Sequence, residues 1–410
     1  MSKGKDTFML PKRACIALDV SKGNSHVQAF YSAGLKATEV MIIQHDKNGF
    51  QTLNDLIKKI ENETGDKCAI VFESTGSYSK PLENYLISTH KKYYLVPPLL
   101  SAKVRKSNIR PTKTDSIDCE TIANVYYLKN LKEADKLNKI SARLKNYSSY
   151  YLFYINREVE TKIKYRQYLD IVYPKIDEYF DVMALSFIEF IKNNPDPNKL
   201  AKRSYEDIYK RFLKFSYCGE IKSKARATSM LRYLSEASIT IASDNPEITI
   251  LADVSKVLLD DLNHLSNMLD EIVVLAMKTE EYKYIVTIPG LSKNTAARIS
   301  AEIAGIDRFS SASKFVAYIG IDPTVCQSGK LTGEHLNITH KGNQRLRCLL
   351  YLVCVGSLKN RSDYNPIRDF ILKKKSDGLA PKAAIVAGCN KLARIIYAVC
   401  SKREVFAIQQ

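Results

Sequence analysis

The sequence lacks the cysteine and histidine spacings that are typical of metal-binding or disulfide-bonded proteins. Its nine cysteines include no C-x-x-C pair and no histidine at ligand spacing, and an odd number argues against a disulfide framework. Isolated cysteines of this kind are usually small buried residues of proteins in a reducing compartment. We therefore expect the thiols to lie in the core of an intracellular protein.

Signals for export and for membrane insertion are also absent from the sequence. The first eleven residues contain no apolar stretch of the kind that signal peptides carry. The longest apolar run, residues 349–355, is far shorter than the roughly 20 residues that span a bilayer. These absences predict a cytoplasmic, nucleoid-associated protein with no membrane partner.

Acidic residues are few relative to basic ones. The chain has 62 Lys and Arg against 44 Asp and Glu, which gives a formal charge of +18. Such an excess favours a polyanionic partner, although a basic surface kept for solubility would explain part of it. At 410 residues the chain is too long for one ordinary core, which predicts two or three domains.

Four of the acidic residues lie at positions where carboxylates are unusual. Asp19 lies inside the apolar run 14–20, and Glu73 ends the apolar run 69–73. Asp115 and Asp118 begin a helical stretch, where a spacing of three residues places both on one face. Because buried carboxylates are costly unless compensated, this pattern indicates a bound cation, and oxygen ligands suit Mg²⁺ or Mn²⁺. Two such ions can clamp the attacking and leaving oxygens of a phosphodiester, so the sequence predicts a metal-dependent nucleic-acid enzyme.

Strand-like and helix-like segments alternate in the first predicted domain, residues 12–128. Apolar runs predict five strands and amphipathic spacing predicts two helices. The predicted strands are residues 14–20, 25–31, 39–44, 68–73 and 93–96, and the helices are residues 50–60 and 80–88. Three strands followed by helix, strand, helix, strand is the order of the ribonuclease H-like (RuvC-like) fold. In that fold the first and fourth strands bring acids to one sheet edge, and Asp19 and Glu73 occupy these strands. The predicted fold class is therefore α/β plus α.

The second predicted domain, residues 129–285, is expected to be wholly helical, with a coiled-coil segment. Apolar residues recur at spacings of 4-3-4-3-4 from Leu258 to Ala276, which is a heptad seam. The seam belongs either to an internal helix of a bundle or to an intermolecular coiled coil. In the second case it would be the contact of a homo-oligomer, a dimer or a tetramer.

The third predicted domain, residues 286–410, is mostly helical and begins with an element that resembles a helix-hairpin-helix. Its Pro289-Gly290 turn precedes a helix whose first backbone N–H groups, beside Lys293, are suited to a phosphate. Three motifs follow in order: Gly320-Ile321-Asp322-Pro323, Ser328-Gly329, and Lys341-Gly342-Asn343 with Leu346-Arg347.

Together with the four acids and Glu73-Ser74-Thr75-Gly76, these motifs make the chain similar to the Piv-type DEDD transposases. They form the insertion-sequence family of bridge-RNA-guided serine recombinases. The resemblance covers nearly the whole chain and makes the third domain a transposase domain. One departure is Cys119, where the family commonly has alanine after the second aspartate.

The resemblance implies a role for each motif residue. It makes Asp19, Glu73, Asp115 and Asp118 ligands of Mg²⁺ (or Mn²⁺) and Ser328 the nucleophile that becomes joined to a DNA strand end. From spacing alone, Ser328 would be an ordinary turn serine before glycine. The implied partners are donor DNA, target DNA and a guide (bridge) RNA. Candidate nucleic-acid-binding residues are Lys293, Lys330, Lys341, Asn343, Arg345 and Arg347.

The expected function is RNA-guided excision and insertion of a mobile element through a covalent phosphoserine. Two alternatives remain open: a RuvC-like, structure-specific DNA endonuclease that uses water as nucleophile, and a non-catalytic nucleic-acid-binding scaffold. A tyrosine recombinase is disfavoured, because no Arg-His-Arg constellation is placed to activate one of the 25 tyrosines.

Overall fold

The contacts of the chain divide it into two compact units, residues 1–136 and 137–410, in a computed structural model. The model describes residues 13–73, 76–106, 115–129, 131, 133–134, 139–215, 219–322, 327–328, 331–332, 338, 341–359 and 364–407, with the backbone alone at 99, 105–106, 115–117, 139, 215, 327–328 and 331–332. The domain boundaries predicted at 128/129 and 285/286 stay predictions.

The first unit is built on one mixed sheet whose strand order is β3-β2-β1-β5-β6, with β4 also paired to β2. β1 pairs with β2 antiparallel and with β5 parallel, and β5 pairs with β6 parallel. The strands are β1 Cys15–Ser21, β2 Asn24–Ser32, β3 Leu35–Lys36, β4 Met41–Gln44, β5 Ala69–Glu73 and β6 Tyr93–Val96; the helices are α1 Lys47–Thr64, α2 Lys80–Ser88, α3 Pro98–Lys106 and α4 Asp115–Leu128. The five predicted strands, the two predicted helices and the helical stretch that begins at Asp115 are confirmed. The two-residue β3 and the helix α3 were not predicted.

Side chains alternate between the two faces of this sheet, because successive residues of a strand point in opposite directions. Ile16, Leu18, Ile70 and Phe72 pack with α1 and α2 on one face. On the other face, α4 covers the intervening positions of the same strands. That second cluster includes Cys15, Ala17, Ala69 and Val71 from the strands and Cys119, Ile122, Ala123 and Tyr126 from α4. The odd-numbered residues of β1 and β5 therefore face α4.

The second unit is helical apart from one short hairpin among its described residues. Its helices are α5 Lys139–Val172, α6 Leu185–Asn193, α7 Pro197–Ala201, α8 Tyr205–Phe215, α9 Glu220–Glu236, α10 Pro246–Ala276, α11 Glu280–Ile285, α12 Lys293–Ile303, α13 Ala312–Ile319, α14 Gln344–Lys359, α15 Pro366–Ser376 and α16 Pro381–Lys402, and the hairpin strands are β7 Gln327–Ser328 and β8 Leu331–Thr332. The mixed α/β sheet and the helical remainder of the predicted fold class are thus confirmed.

The heptad seam of α10 lies inside this unit. Leu258 and Ile272 are fully buried, Leu262 and Leu269 are partly buried, and α10 packs along α5. Because the chain itself covers these side chains, the seam belongs to an internal helix, and the expectation of an oligomer contact through it is wrong. A dimer or tetramer stays a prediction.

We expect Leu258→Ala to lower the free energy of unfolding by about 2–5 kcal/mol, because it opens a cavity between packed helices. Val257→Ala is a matched control one residue away, since Val257 is 39% exposed, and its effect should stay within about 0.5 kcal/mol. Urea denaturation followed by circular dichroism measures both values. Equal losses in the two variants would contradict the internal seam.

Most described cysteines are buried, as predicted. Cys348 is exposed, and Cys218 and Cys326 lie outside the described residues. Burial raises the pKa of the Cys15 thiol to about 12, so this thiol stays protonated and unreactive at neutral pH. The buried cysteines are Cys15, Cys68, Cys119, Cys354, Cys389 and Cys400.

One helix in the described ranges, α16, is long and apolar enough to cross a membrane by length and composition. Leu392, Ala393 and Ile396 are fully buried, and α16 packs against α13, α14 and α15. The core helix of a folded domain passes the same test, so this helix is weak evidence for a membrane segment.

Candidate catalytic acids and the serine hairpin

The sheet brings Asp19 and Glu73 to adjacent positions on neighbouring strands. The last paired residues of β1 and β5 are Leu18 and Phe72, and the two acids follow directly. Neighbouring strands lie about 4.8 Å apart, and both acids continue the set of side chains that faces α4. Two of the predicted site residues therefore share one edge and one face of the sheet.

Helix α4, which carries a third acid, packs on the same face of the sheet. Asp118 is 5% exposed, and its neighbour Cys119 packs against the sheet with its thiol 3.3 Å from the carbonyl oxygen of His26. His26 is the residue directly opposite Asp19 in the β1–β2 pairing. Asp115 begins α4 one turn earlier, on the same helix face, and its side chain lies outside the described set. The start of α4 therefore lies beside Asp19.

A buried serine orients Glu73. Ser101 of α3 is 1% exposed, and its hydroxyl donates a 2.6 Å hydrogen bond to Oε2 of Glu73. This bond holds the carboxylate in one rotamer at the end of β5. Ser101 belongs to no motif, so the sequence did not single it out.

The donor set fits a hard divalent cation in chemistry, since Asp19, Glu73, Asp115 and Asp118 offer carboxylate oxygens only. Within the described side chains, no three acidic, histidine or cysteine residues lie close enough to hold a metal ion. That set includes the side chains of Asp19, Glu73 and Asp118 and omits the side chain of Asp115. Metal binding by the four acids therefore stays a prediction based on donor chemistry and strand register.

Ser328 lies at the turn of the short hairpin in the second unit. It is the last residue of β7 and pairs with Leu331 of β8, so only residues 329 and 330 separate the strands. A serine before a two-residue connection is placed at the tip of a hairpin. This backbone position agrees with both interpretations of Ser328, as a turn serine and as a presented nucleophile. Lys330 lies outside the described residues.

The other candidate nucleic-acid-binding residues divide into exposed and internally bonded side chains. Lys293, Lys341 and Arg345 are exposed, and Arg345 also donates a 2.5 Å hydrogen bond to the hydroxyl of Ser149. Asn343 donates hydrogen bonds to Glu302 and to the Tyr318 hydroxyl, each 3.0 Å long, and accepts one from the backbone N–H of Leu346. The Arg347 guanidinium donates to the carbonyl oxygen of Ile319 at 2.8 Å. Asn343 and Arg347 thus hold the protein's own structure, and a role in nucleic-acid binding stays a prediction for all of these residues.

The predicted Pro-Gly element joins α11 to α12. Gly290 has a φ of +87°, and a Cβ there would lie 2.6 Å from Nδ2 of Asn365, so only glycine fits without a shift. Ser292 caps α12 by accepting a hydrogen bond from the N–H of Thr295. Lys293 is the first residue of α12, so the predicted arrangement of two helices around the turn is present.

Comparison with known families defines the class of protein. Residues 16–174, which include the four acids, match a transposase model of the DEDD, IS110 type. Residues 282–370, which include Ser328, match the transposase IS116/IS110/IS902 family. Two separate matches in this order cover both candidate sites. The chain belongs to the IS110/IS116 family of transposases.

Curated relatives share part of this chain. A pilin gene-inverting protein of Moraxella lacunata is 28% identical over 155 residues, which are 36% of this chain and 48% of the relative. A transposase for insertion sequence element IS1111A of Coxiella burnetii is 26% identical over 180 residues, 43% of this chain and 49% of the relative. The chain therefore spans about half the length of these two relatives.

Proposed function

We propose that this chain is a DNA recombinase of a mobile element, which excises and inserts DNA through a covalent phosphoserine under the guidance of an RNA. The observation that carries the proposal is the adjacency of Asp19 and Glu73 on the face of the sheet that α4, the helix of Asp118, covers, within the region that matches DEDD transposases. Side chains that share one edge of a sheet can act on one substrate.

The topology of the first unit supports a ribonuclease H-like, RuvC-like fold. Its antiparallel strands β1, β2 and β4 are followed by β5 and β6, which extend the sheet in parallel beyond β1. Acids on the first strand and on the strand parallel to it are what such a fold uses for metal-dependent cleavage of nucleic acids. The position of Asp19 on β1 and Glu73 on β5 agrees with that arrangement.

Asp19, Glu73, Asp115 and Asp118 would hold Mg²⁺ or Mn²⁺, and Ser101 keeps the Glu73 carboxylate oriented for that role. The bound ion supplies stabilisation of the negative charge that develops on the phosphate oxygens. The exposed cations Lys293, Lys341 and Arg345, together with Lys330, would bind DNA or RNA phosphates without reading sequence.

Ser328 is the proposed nucleophile. Its Oγ attacks the phosphorus of a phosphodiester as its proton is removed, and the bond between phosphorus and the 3′ oxygen breaks, which frees a 3′-hydroxyl. The phosphoserine conserves the energy of the broken bond, so rejoining needs no ATP. A 3′-hydroxyl of another strand then attacks the same phosphorus and releases Ser328.

The proposed partners follow from this reaction. Donor and target DNA must be held together, which calls for a homo-oligomer, a dimer or tetramer. The proposed location is the cytoplasm, in association with the nucleoid. If a guide RNA pairs with both DNAs, protein side chains need to read little sequence, as in other RNA-guided systems. The +18 charge of the chain suits binding to several phosphate backbones at once.

The test combines the purified protein, DNA with the element's junctions, and RNA transcribed from the non-coding region beside the gene. We expect Mg²⁺-dependent cleavage together with a protein–DNA adduct on denaturing gels, both lost with EDTA and both dependent on the RNA. Cleavage without an adduct would favour a RuvC-like endonuclease. Binding without cleavage would favour a non-catalytic scaffold.

Ser101→Ala should lower the cleavage rate by about tenfold, because loss of a hydrogen bond to a charged group costs about 1.5–3 kcal/mol and frees the Glu73 carboxylate to rotate. Ser79→Ala is a matched control in the same unit: Ser79 is also fully buried and donates a 2.8 Å hydrogen bond to a glutamate, Glu83, outside the acid group. Its cleavage rate should stay within about twofold of wild type. Equal rates for the two variants would show that Ser101 has no special link to the reaction.

A further inference from the structure

The stretch that carries Ser328 has its two ends joined at one point. We call residues 321–341 the Ser328 segment; it follows α13 and precedes α14. The backbone N–H of Asn343 donates a 2.7 Å hydrogen bond to the carbonyl oxygen of Tyr318. The Arg347 side chain donates to the carbonyl oxygen of Ile319 at 2.8 Å. The segment therefore leaves and re-enters the helical core through a closed base.

Two glycines allow this close approach. A Cβ on Gly342 would lie 2.4 Å from the carbonyl oxygen of Tyr318, which is backbone and has no room to move aside. Gly320 has a φ of +76°, and a Cβ there would lie 3.1 Å from the backbone nitrogen of Gly342. Glycine at both positions is thus a requirement of the closed base.

A buried glutamate forms hydrogen bonds with the residues that make up this closed base. Glu302 of α12 is 2% exposed, and its Oε2 accepts the 3.0 Å hydrogen bond from the side chain of Asn343. Its Oε1 accepts a 3.1 Å bond from the hydroxyl of Ser148 on α5. The Tyr318 hydroxyl, which accepts from the same amide group of Asn343, donates to the backbone oxygen of Glu302 at 3.3 Å. Glu302 therefore contacts the residues that flank both ends of the Ser328 segment.

We propose that Glu302 is a positioning residue for Ser328: it holds Asn343, and through Asn343 it keeps the base of the Ser328 segment closed. This inference rests on the proposed function, in which Ser328 is the nucleophile. Glu302 is buried and acts only through Asn343 and Tyr318. A nucleophile must be held within a few tenths of an ångström of its attack geometry, and a misplacement of about 1 Å costs on the order of 100-fold in rate.

An ordinary buried polar residue of α12 would also stabilise the folded unit through its hydrogen bonds, but it would not act on the Ser328 segment in particular. Ser300, on the same helix, is such a residue. It is 2% exposed, and its hydroxyl forms a 2.9 Å hydrogen bond with the hydroxyl of Thr279, which lies outside the Ser328 segment. Ser300→Ala is therefore the matched control for the loss of a buried hydrogen bond in α12.

The experiment measures two quantities on the full-length protein. The first is the hydrogen-exchange rate of the backbone amide of Asn343, and the second is the rate of adduct formation at saturating DNA. Glu302→Ala should raise the exchange rate by about tenfold or more, since it removes the side-chain bond that holds Asn343. It should lower the adduct rate by about 100-fold, with little change in the DNA concentration for half-maximal rate. Ser300→Ala should change neither quantity by more than about threefold.

Glu302→Gln should restore both quantities to within a few-fold of wild type. The amide oxygen of glutamine accepts from Asn343, and its NH₂ group donates to the Ser148 hydroxyl, which can reverse its role. If Glu302→Ala does not fold, Tyr318→Phe tests the closure of the base of the Ser328 segment instead. This substitution keeps the aromatic ring and removes the hydroxyl that accepts a hydrogen bond from the Asn343 side chain. It should raise the exchange rate by about threefold or more.

The inference is overturned if the Asn343 amide exchanges at the wild-type rate in Glu302→Ala or, should that variant not fold, in Tyr318→Phe. It is also overturned if Ser300→Ala accelerates exchange and slows the adduct as much as Glu302→Ala does. The two proposals fail separately: a wild-type protein that forms no adduct refutes the proposed function, and the exchange rates alone then decide whether Glu302 closes the base.

Discussion

Ser328→Ala is expected to abolish the covalent protein–DNA adduct and strand transfer, with a fall in rate of about 10⁴-fold or more. The reason is that the alanine has no oxygen to attack phosphorus, and the remaining basic and acidic residues do not supply another serine-like nucleophile. Denaturing gels with end-labelled junction DNA measure the adduct, and joined product measures strand transfer. Binding of DNA should stay within about threefold of wild type, because the basic residues remain.

Ser313→Ala is the control for this prediction. Ser313 is an exposed serine of α13, in the same unit as Ser328. Its adduct should form at the wild-type rate. If Ser328→Ala instead cuts DNA as fast as wild type, water is the nucleophile and the endonuclease alternative holds.

Asp118→Asn is expected to lower the Mg²⁺-dependent cleavage rate by about 10³-fold or more. The amide has nearly the volume of the carboxyl group, so the packing of α4 against β1 is kept, while one anionic oxygen ligand is lost. A second measurement does not depend on DNA. Saturating Mg²⁺ should stabilise the wild type, by about 2.7 kcal/mol at 100 times the dissociation constant, and this gain should be largely lost in Asp118→Asn.

Glu83→Gln separates a ligand role from the loss of any buried carboxylate. Glu83 lies in the same unit, is 8% exposed and forms an ion pair with Lys80 at 2.7 Å, on α2 rather than beside the acids. Its variant should lose some stability but keep both the cleavage rate and the Mg²⁺-dependent stabilisation. If wild type and Asp118→Asn gain equally from Mg²⁺, Asp118 does not bind the ion.

The strands of the first unit were predictable because their signals are local. Each strand is an apolar run of suitable length, and alternation along β1 and β5 already places Asp19 and Glu73 on one side once the strands are paired. The prediction that Asp19 and Glu73 lie on neighbouring strands required only the strand order of the ribonuclease H-like fold. The two-residue β3 was missed because a strand so short has no periodicity of its own.

The heptad seam shows where periodicity is insufficient. A spacing of 4-3-4-3-4 states that Leu258 and Ile272 lie on one stripe of a helix, but the same stripe packs equally well on a helix of its own chain or on a second copy. The position of α5 along α10 decided between them.

Hydrogen bonds between residues far apart in the chain could not be predicted either, because local patterns do not show which surfaces meet in the folded protein. Ser101 is 28 residues from Glu73, Asn343 is 41 residues from Glu302, and Ser148 is 154 residues from Glu302. No local pattern marks a serine or an asparagine that closes such a contact. The hydrogen bonds of Asn343 and Arg347 within the protein were therefore not predicted, and their role in nucleic-acid binding stays a prediction.

By itself, the sequence determined the basic charge, the apolar runs that become strands, the acids set into them and the motifs shared with one family of transposases. These properties depend on residue type and on spacing within one element. The folded chain alone decided that the seam of α10 is internal, that Ser101 orients Glu73 and that Glu302 supports the base of the Ser328 segment. Those features depend on which surfaces meet in three dimensions, and the pairing of surfaces is set by the packing of the whole unit.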